Sequence, residues 1–227
     1  KWAYTSYVTS TEKTPGYYRM TTANNHSYGS VFNSSKVDLT GDFSITAELY
    51  FGDRDADGGS GIAFNLFRDY QYGYLYYWDG MAMQRSPAVS VEFDTKKSSW
   101  DNVDNDHSSL HISNQNISAS YHITNPLKTV DLGNIEDGQW HAFTFNWNAT
   151  SKELSVVFKG NNIITHSVDI INDVFGGTSK TYFGFTADTG SDNNYNEQRV
   201  YIKEYCTVDD SETIYKGYTT PNDLDEN

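Results

Sequence analysis

The chain has 227 residues, enough to bury a full core and a length at which all-β sandwiches and barrels form one unit. Sixteen basic against thirty acidic side chains leave a net charge of −14, which repels phosphate backbones and anionic lipid surfaces and excludes nucleic acid as a partner. One cysteine, Cys206, excludes an internal disulfide, a Cys-based zinc cluster and a CxxC redox pair, and no apolar run approaches the roughly 20 residues of a spanning helix, so membrane insertion is not expected.

The opening Lys1-Trp2 has no leader pattern and reads as the start of a mature or excised fragment. Period-two alternation dominates from there on. Phe43–Phe51 places Phe, Ile, Ala, Leu and Phe on one face, and Ala88–Asp94 places Val89, Val91 and Phe93 opposite Glu92 and Asp94. Further strands are predicted over His141–Trp147, Leu154–Phe158, Tyr182–Ala187 and Arg199–Tyr205. Turns are expected at Asp57-Gly58-Gly59, Asp79-Gly80, Asp137-Gly138, Gly160-Asn161-Asn162 and Gly176-Gly177, with a hairpin over Asn148–Glu153 and a short helical turn near Ile170–Val174. Many strands separated by turns indicate antiparallel sheets packed as a sandwich. One domain is expected over residues 1–208, followed by an acidic tail or linker over 209–227.

The most informative stretch runs from Val91 to Ile112. Glu92 and Asp94 share one strand face. The loop after them holds Ser98, Asp101, Asn102, Asp104, Asn105 and Asp106, then His107. Carboxylates with amide and carbonyl oxygens are the ligand set of Ca²⁺, and an adjacent imidazole suits a softer ion such as Mn²⁺.

This stretch resembles the metal strand and loop of the L-type (legume-type) lectins, in the version found in bacterial surface proteins. Other segments agree: Asn24-Asn25 with Gly29–Phe32 and Val37-Asp38-Leu39, Gly61-Ile62-Ala63-Phe64, Phe145–Ala149 followed by Leu154-Ser155-Val156, and Gly184–Gly190. Together they span residues 15 to 206. The resemblance implies an all-β, concanavalin-like antiparallel β-sandwich, or jelly roll. It implies that Asp94, the carbonyl of Lys96, Ser98 and Asp101 hold Ca²⁺, and that Glu92, Asp94, Asp101 and His107 hold the transition metal of the plant members. Bacterial and animal relatives usually keep only Ca²⁺. It places the glycan site at Ser60, Asp79, Gly80, Ser98 and the loop Ser191, Asp192, Asn193. Ser98 stands where the family has an Asn, and Ser60 where it has an Asp. Either the saccharide is gripped differently, or Asn102 or Asp57 has taken the role.

Two motifs fall outside that pattern. Asp53-x-Asp55-x-Asp57-Gly58 resembles the first half of an EF-hand loop, but position twelve is Phe64 and no helices flank it. A calcium site of another type and a polar inter-strand loop both remain open. Glu92 and Asp94 could space the two carboxylates of a glycosidase, but Lys96 or Lys97 stands where sandwich glucanases carry a further Glu. Gly58-Gly59-Ser60-Gly61-Ile62 lacks the last Gly of a nucleophile elbow.

No enzyme activity is therefore expected. The expected function is calcium-dependent glycan binding, as the ligand-binding module of a bacterial cell-surface adhesin, extracellular and part of a larger protein. Its partner would be a glycan on a host or neighbouring cell. Two alternatives are kept: an accessory carbohydrate-binding domain of a secreted glycan-degrading enzyme, and a structural adhesion module with a lost sugar site. The sequence leaves the sugar and the oligomeric state open.

Overall fold

Alternating β-branched and aromatic residues pair into two facing antiparallel sheets. The computed structural model describes residues 2–6 (backbone only), 16–33, 35–69, 87–97, 103–113, 126–190 and 193–207. Its strands are β1 (Trp2–Ser6), β2 (Tyr17–Arg19), β3 (Tyr28–Asn33), β4 (Val37–Asp38), β5 (Phe43–Tyr50), β6 (Gly61–Phe67) and β7 (Ala88–Asp94). They continue with β8 (His107–Ser113), β9 (Lys128–Asp131), β10 (Trp140–Asn148), β11 (Glu153–Phe158), β12 (Asn161–Ser167), β13 (Lys180–Asp188) and β14 (Arg199–Thr207). The larger sheet runs β1-β3-β13-β6-β7-β8-β9, with β4 also paired to β13, and the smaller runs β12-β11-β10-β5-β14-β2. The predicted tail lies outside the described residues, as does the Asp79-Gly80 turn.

Every strand expected from alternation is present. The structure adds strands that alternation does not announce, chiefly β8, β9 and β12. β12 is an edge strand with mostly polar, partly exposed residues, so it carries no apolar period. Lys159 and Gly160 both take positive φ, 51° and 78°, and join β11 to β12 in a two-residue turn whose twist suits a hairpin. The helical turn at Ile170–Val174 is present. Asp169 caps it by accepting from Asn172 N–H, and Phe175 N–H closes a wide loop onto Ile170 C=O.

A layer of phenylalanines fills the space between the sheets. Phe64 lies 4.8 Å from Phe145, 5.4 Å from Phe185 and 5.7 Å from Phe143, centroid to centroid. Phe93 meets Phe158 at 4.7 Å, and Phe43 meets Phe183 edge-on at 4.9 Å. Such pairs add to area burial when rings sit edge-to-face or offset. Trp147 closes one end, its indole N–H donating to Leu39 C=O at 3.0 Å.

The outer face of the larger sheet is built in cross-strand rows. Phe32, Phe67, Ala88 and Tyr182 form a second apolar cluster there. Toward the middle the rows turn polar: Ser90 Oγ donates to Asn65 Oδ1 at 2.7 Å, and Asn65 Nδ2 donates to Thr186 Oγ1 at 3.0 Å. All three are buried. Phe64→Ala, which empties the centre of the ring layer, should cost about 3–5 kcal/mol in urea-melt stability, with the slope of the transition unchanged.

Candidate functional site

The last row of the larger sheet carries the charge. Reading across β9, β8, β7, β6, β13 and β3, it is Asp131, His107, Asp94, Gly61, Asp188 and Tyr28. Directly opposed residues share a face, so three carboxylates and one imidazole line one end of the sheet. Gly61 has no side chain, and its strand separates Asp94 from Asp188 by about two strand spacings, roughly 10 Å.

Asp94 Oδ1 accepts from Lys96 N–H at 2.8 Å, which closes the turn leaving β7. Asp188 does the same for Gly190 N–H at the end of β13. Ser60 is held between these strand ends: its N–H donates to Asp188 C=O at 2.7 Å and its C=O accepts from Thr95 N–H at 2.9 Å. The Gly59–Ser60 peptide is cis. A Cβ added at Gly190 would stand 3.1 Å from Ser60 Oγ, so Ser60 and the start of the 190s loop are immediate neighbours. Asn193 is exposed on that loop. The structure thus brings Ser60, Asp94, Lys96 and the end of the Asp188 strand together. Ser98, Asp101, Asn102, Asp79, Gly80, Ser191 and Asp192 lie outside the described residues.

Glu92 and His107 share Asp94's face, but Glu92 is turned away along its strand. Its Oε2 lies 2.9 Å from Nε2 of buried His111, diagonally across β8. His107 is itself buried, with Nδ1 3.3 Å from Asn105 C=O. Among the described residues no three His, Cys, Asp or Glu side chains converge as a metal group. The Asp94 turn presents oxygen donors only, which fits a hard ion such as Ca²⁺. Lys97 pairs with exposed Asp104 at 2.5 Å, a contact on the solvent side of this loop.

The Asp53–Gly58 loop is not an EF-hand. Asp53, Asp55 and Asp57 are exposed, and Asp57 lies 4.0 Å from Arg54. What fastens the loop is Asn196, a buried residue that the sequence analysis did not single out. Asn196 Oδ1 accepts from Arg54 N–H at 3.3 Å, and its Nδ2 donates to Arg54 C=O at 3.0 Å and to Glu136 Oε1. Gly52 and Gly58 press on this amide. A Cβ at Gly58 would fall 2.0 Å from Glu136 Oε1, and one at Gly52 would fall 2.3 Å from the Asn196 side chain. Arg54 also covers the Tyr195 ring at 4.3 Å, and Tyr195 N–H donates to Asp57 C=O at 3.0 Å. The 52–58 and 193–198 segments are one stapled unit.

Glu136, missed in the sequence, is 2% exposed. Burial, with the negative charge of Asp106 beside it, pushes its carboxyl up to about 9. Burial raises Asp106 as well, against the hydrogen bond its Oδ2 accepts from Ile135 N–H at 2.8 Å.

The family described as "Legume lectin beta-barrel domain" matches residues 3–204. Lectin II from Ulex europaeus is similar in structure with a TM-score of 0.67 and 19% identity, over 90% of each chain. A Lotus tetragonolobus seed lectin isoform gives 0.70 and 18%, over 91% of this chain and 93% of that one. The Emp46p carbohydrate recognition domain gives 0.68 and 11%, over 88% and 85%. At these identities the solved structures show a shared fold.

A raised carboxyl makes the native state less stable as pH rises. Glu136 keeps its proton in the folded protein and loses it in the unfolded chain above about pH 4.5, so stability should fall between about pH 4.5 and 9 in chelator. Glu136→Gln should flatten that decline in thermal melts taken across the range. With the sandwich, the strand-end acids and the matched length in hand, the chain belongs to the legume-type lectin family, a family of carbohydrate-binding domains.

Proposed function

We propose that this chain is a calcium-dependent glycan-binding module of a bacterial cell-surface adhesin, displayed outside the cell as part of a larger protein. The observation that carries the reading is the acidic row at one end of the larger sheet, with Ser60 and the 190s loop seated against it. Asp94, the Lys96 carbonyl, Ser98 and Asp101 would hold Ca²⁺. When bound, the ion neutralises the clustered carboxylates and pre-organises the loop, which lowers the ordering cost of binding. The glycan, on a host or neighbouring cell, would then meet Ser60, Asp79, Gly80, Ser98 and the Ser191–Asn193 loop. A galactose complex is known for the lectin UEA-II, which shares this fold, and it supports a saccharide as the ligand class.

Ser60 favours a second reading. A hydroxyl accepts fewer bonds than the carboxylate the family carries there, so a structural adhesion module without sugar binding is the rival. A shallow site of this kind makes few buried contacts, and monovalent affinity should be about 10⁻⁴–10⁻³ M. Useful adhesion would come from many copies on one surface.

A glycan array read with and without chelator separates the two: binding lost on chelation supports the lectin, and no binding on any glycan supports the structural module. Asp94→Ala and Asp101→Ala should mimic chelation and lower the melting temperature measured in excess calcium. Asp192→Ala should abolish array binding and leave the melt and calcium content as in wild type. If that variant binds the best array hit as well as wild type, the sugar site lies elsewhere.

Hydrolysis is not expected, because Lys96 and Lys97 follow Asp94 where a further acid would be required. Release of reducing ends from a panel of β-glucans and host glycans, abolished by Glu92→Gln, is the result that would overturn this.

A further inference from the structure

The two outer faces of the sandwich use similar polar residues in different ways. On the larger sheet Ser90, Asn65 and Thr186 are buried and bonded to one another. On the smaller sheet a cross-strand row of Ser155, Asn146, Ser44 and Cys206 runs over β11, β10, β5 and β14. Core residues flank these positions in the chain, Phe43 and Ile45 around Ser44 and Phe145 and Trp147 around Asn146, so the row points outward. None of its members is buried. One long contact, Asn146 Nδ2 donating to Ser155 Oγ at 3.3 Å, is the only hydrogen bond their side chains make among the described residues.

This row floors a cavity of about 460 Å³. Small-molecule sites typically enclose about 300–1,000 Å³. The β10–β11 hairpin forms its rim and is fixed in shape. Asn148 Oδ1 accepts from the N–H groups of Thr150 and Ser151 at 3.0 and 2.8 Å, and Asp42 Oδ1 accepts from Ala149 N–H at 2.8 Å. Glu153, paired with Asn148 across the hairpin, joins Asp42 in bringing two exposed carboxylates to the rim. The lining holds no Lys, Arg or His, and Phe43 and Trp147 contribute to it as well.

We propose that this cavity is a second saccharide site, on the other sheet and at the other end of the sandwich from the Asp94 row. Sugar hydroxyls donate and accept at once, and so do the hydroxyls of Ser44 and Ser155 and the amide of Asn146. The rim carboxylates accept from neighbouring hydroxyls. Phe43 and Trp147 offer apolar contact to C–H faces. Acids without a base select a neutral saccharide and repel a carboxylated or sulfated one. β5 runs from Phe43 at this cavity to Tyr50 beside the 52–58 loop, a rise of roughly 23 Å, so one sugar unit cannot reach both sites. One chain would then hold two glycans and could link two surfaces. The ligand class follows from this lining alone. Binding here needs no calcium and does not rest on the Asp94 reading.

Cys206 is the single cysteine of the chain and lies on the cavity floor, so its alkylation by iodoacetamide reports occupancy. The full chain in EDTA is alkylated with and without galactose, mannose, N-acetylglucosamine, lactose, maltose and chitobiose. At least one of them should slow alkylation, with half-protection at about millimolar concentration. Sialic acid and glucose 6-sulfate should not. Asn146→Ala, which removes a donor and an acceptor, should raise the half-protecting concentration about tenfold. Ser155→Ala should act in the same direction and serves if Asn146→Ala does not fold. Asp94→Ala should protect as wild type does, and added calcium should change nothing, so failure of the first site and failure of this one are read separately. No protection by any of the six neutral sugars overturns the proposal, as does protection that Asn146→Ala and Ser155→Ala leave unchanged. Alkylation that slows with rising protein concentration and no sugar present would make this face a contact between copies of the chain, and overturns it too.

Discussion

The central strands of the larger sheet, β6 and β7, are covered on both faces, so their polar side chains must find partners inside the protein. One face meets the phenylalanine layer. The other carries the Ser90–Asn65–Thr186 chain of hydrogen bonds and, one row on, the Glu92–His111 pair. Those bonds commit Ser90, Asn65, Thr186, Glu92 and His111 to structure. Groups available for a ligand are therefore pushed to the end of the strands, where the backbone ladder stops and Asp94, Ser60 and Asp188 meet. The same constraint separates Glu92 from Asp94: residues two apart on one strand share a face, but His111 draws one carboxylate back toward the middle of the sheet.

The strand ends need support, because few of the loops' backbone bonds lie in the ladders. Here the support is a single amide. Asn196 joins Arg54, Glu136 and two closely packed glycines, and so links segments near residues 54, 136 and 196. Its partner is a carboxyl that burial and the charge of Asp106 keep protonated at neutral pH. A support built on a buried acid is sensitive to pH. Lectin function on this fold is then a matter of how firmly loops are held, as well as which side chains they present.

Several solved lectins share this architecture at under 20% identity. The shared part is the pair of sheets and the ring layer, which demand only apolar residues of suitable volume at alternate positions. Ser60 shows where the demand ends. Backbone bonds to Asp188 and from Thr95 hold that position whatever its side chain, so the fold leaves the residue there free to vary.

Pleat geometry made much of the fold legible from the residues alone. Phe43–Phe51, Ala88–Asp94 and His141–Trp147 alternate because one face of each is buried, and an alternation of two residues is a local property. The Asp94 turn was legible for the same reason, being a strand end followed by acids. Glu136 was not. Ile135-Glu136-Asp137-Gly138 reads as a solvent turn, and nothing within it shows that Glu136 is buried while Asp137 is exposed. That outcome depends on Asn196, sixty residues further along, and on Asp106, thirty residues before. The sequence by itself determined which segments are strands and which end of them gathers charge. Only the tertiary structure decided which acids face water and which are enclosed, because burial is set by residues distant in the chain.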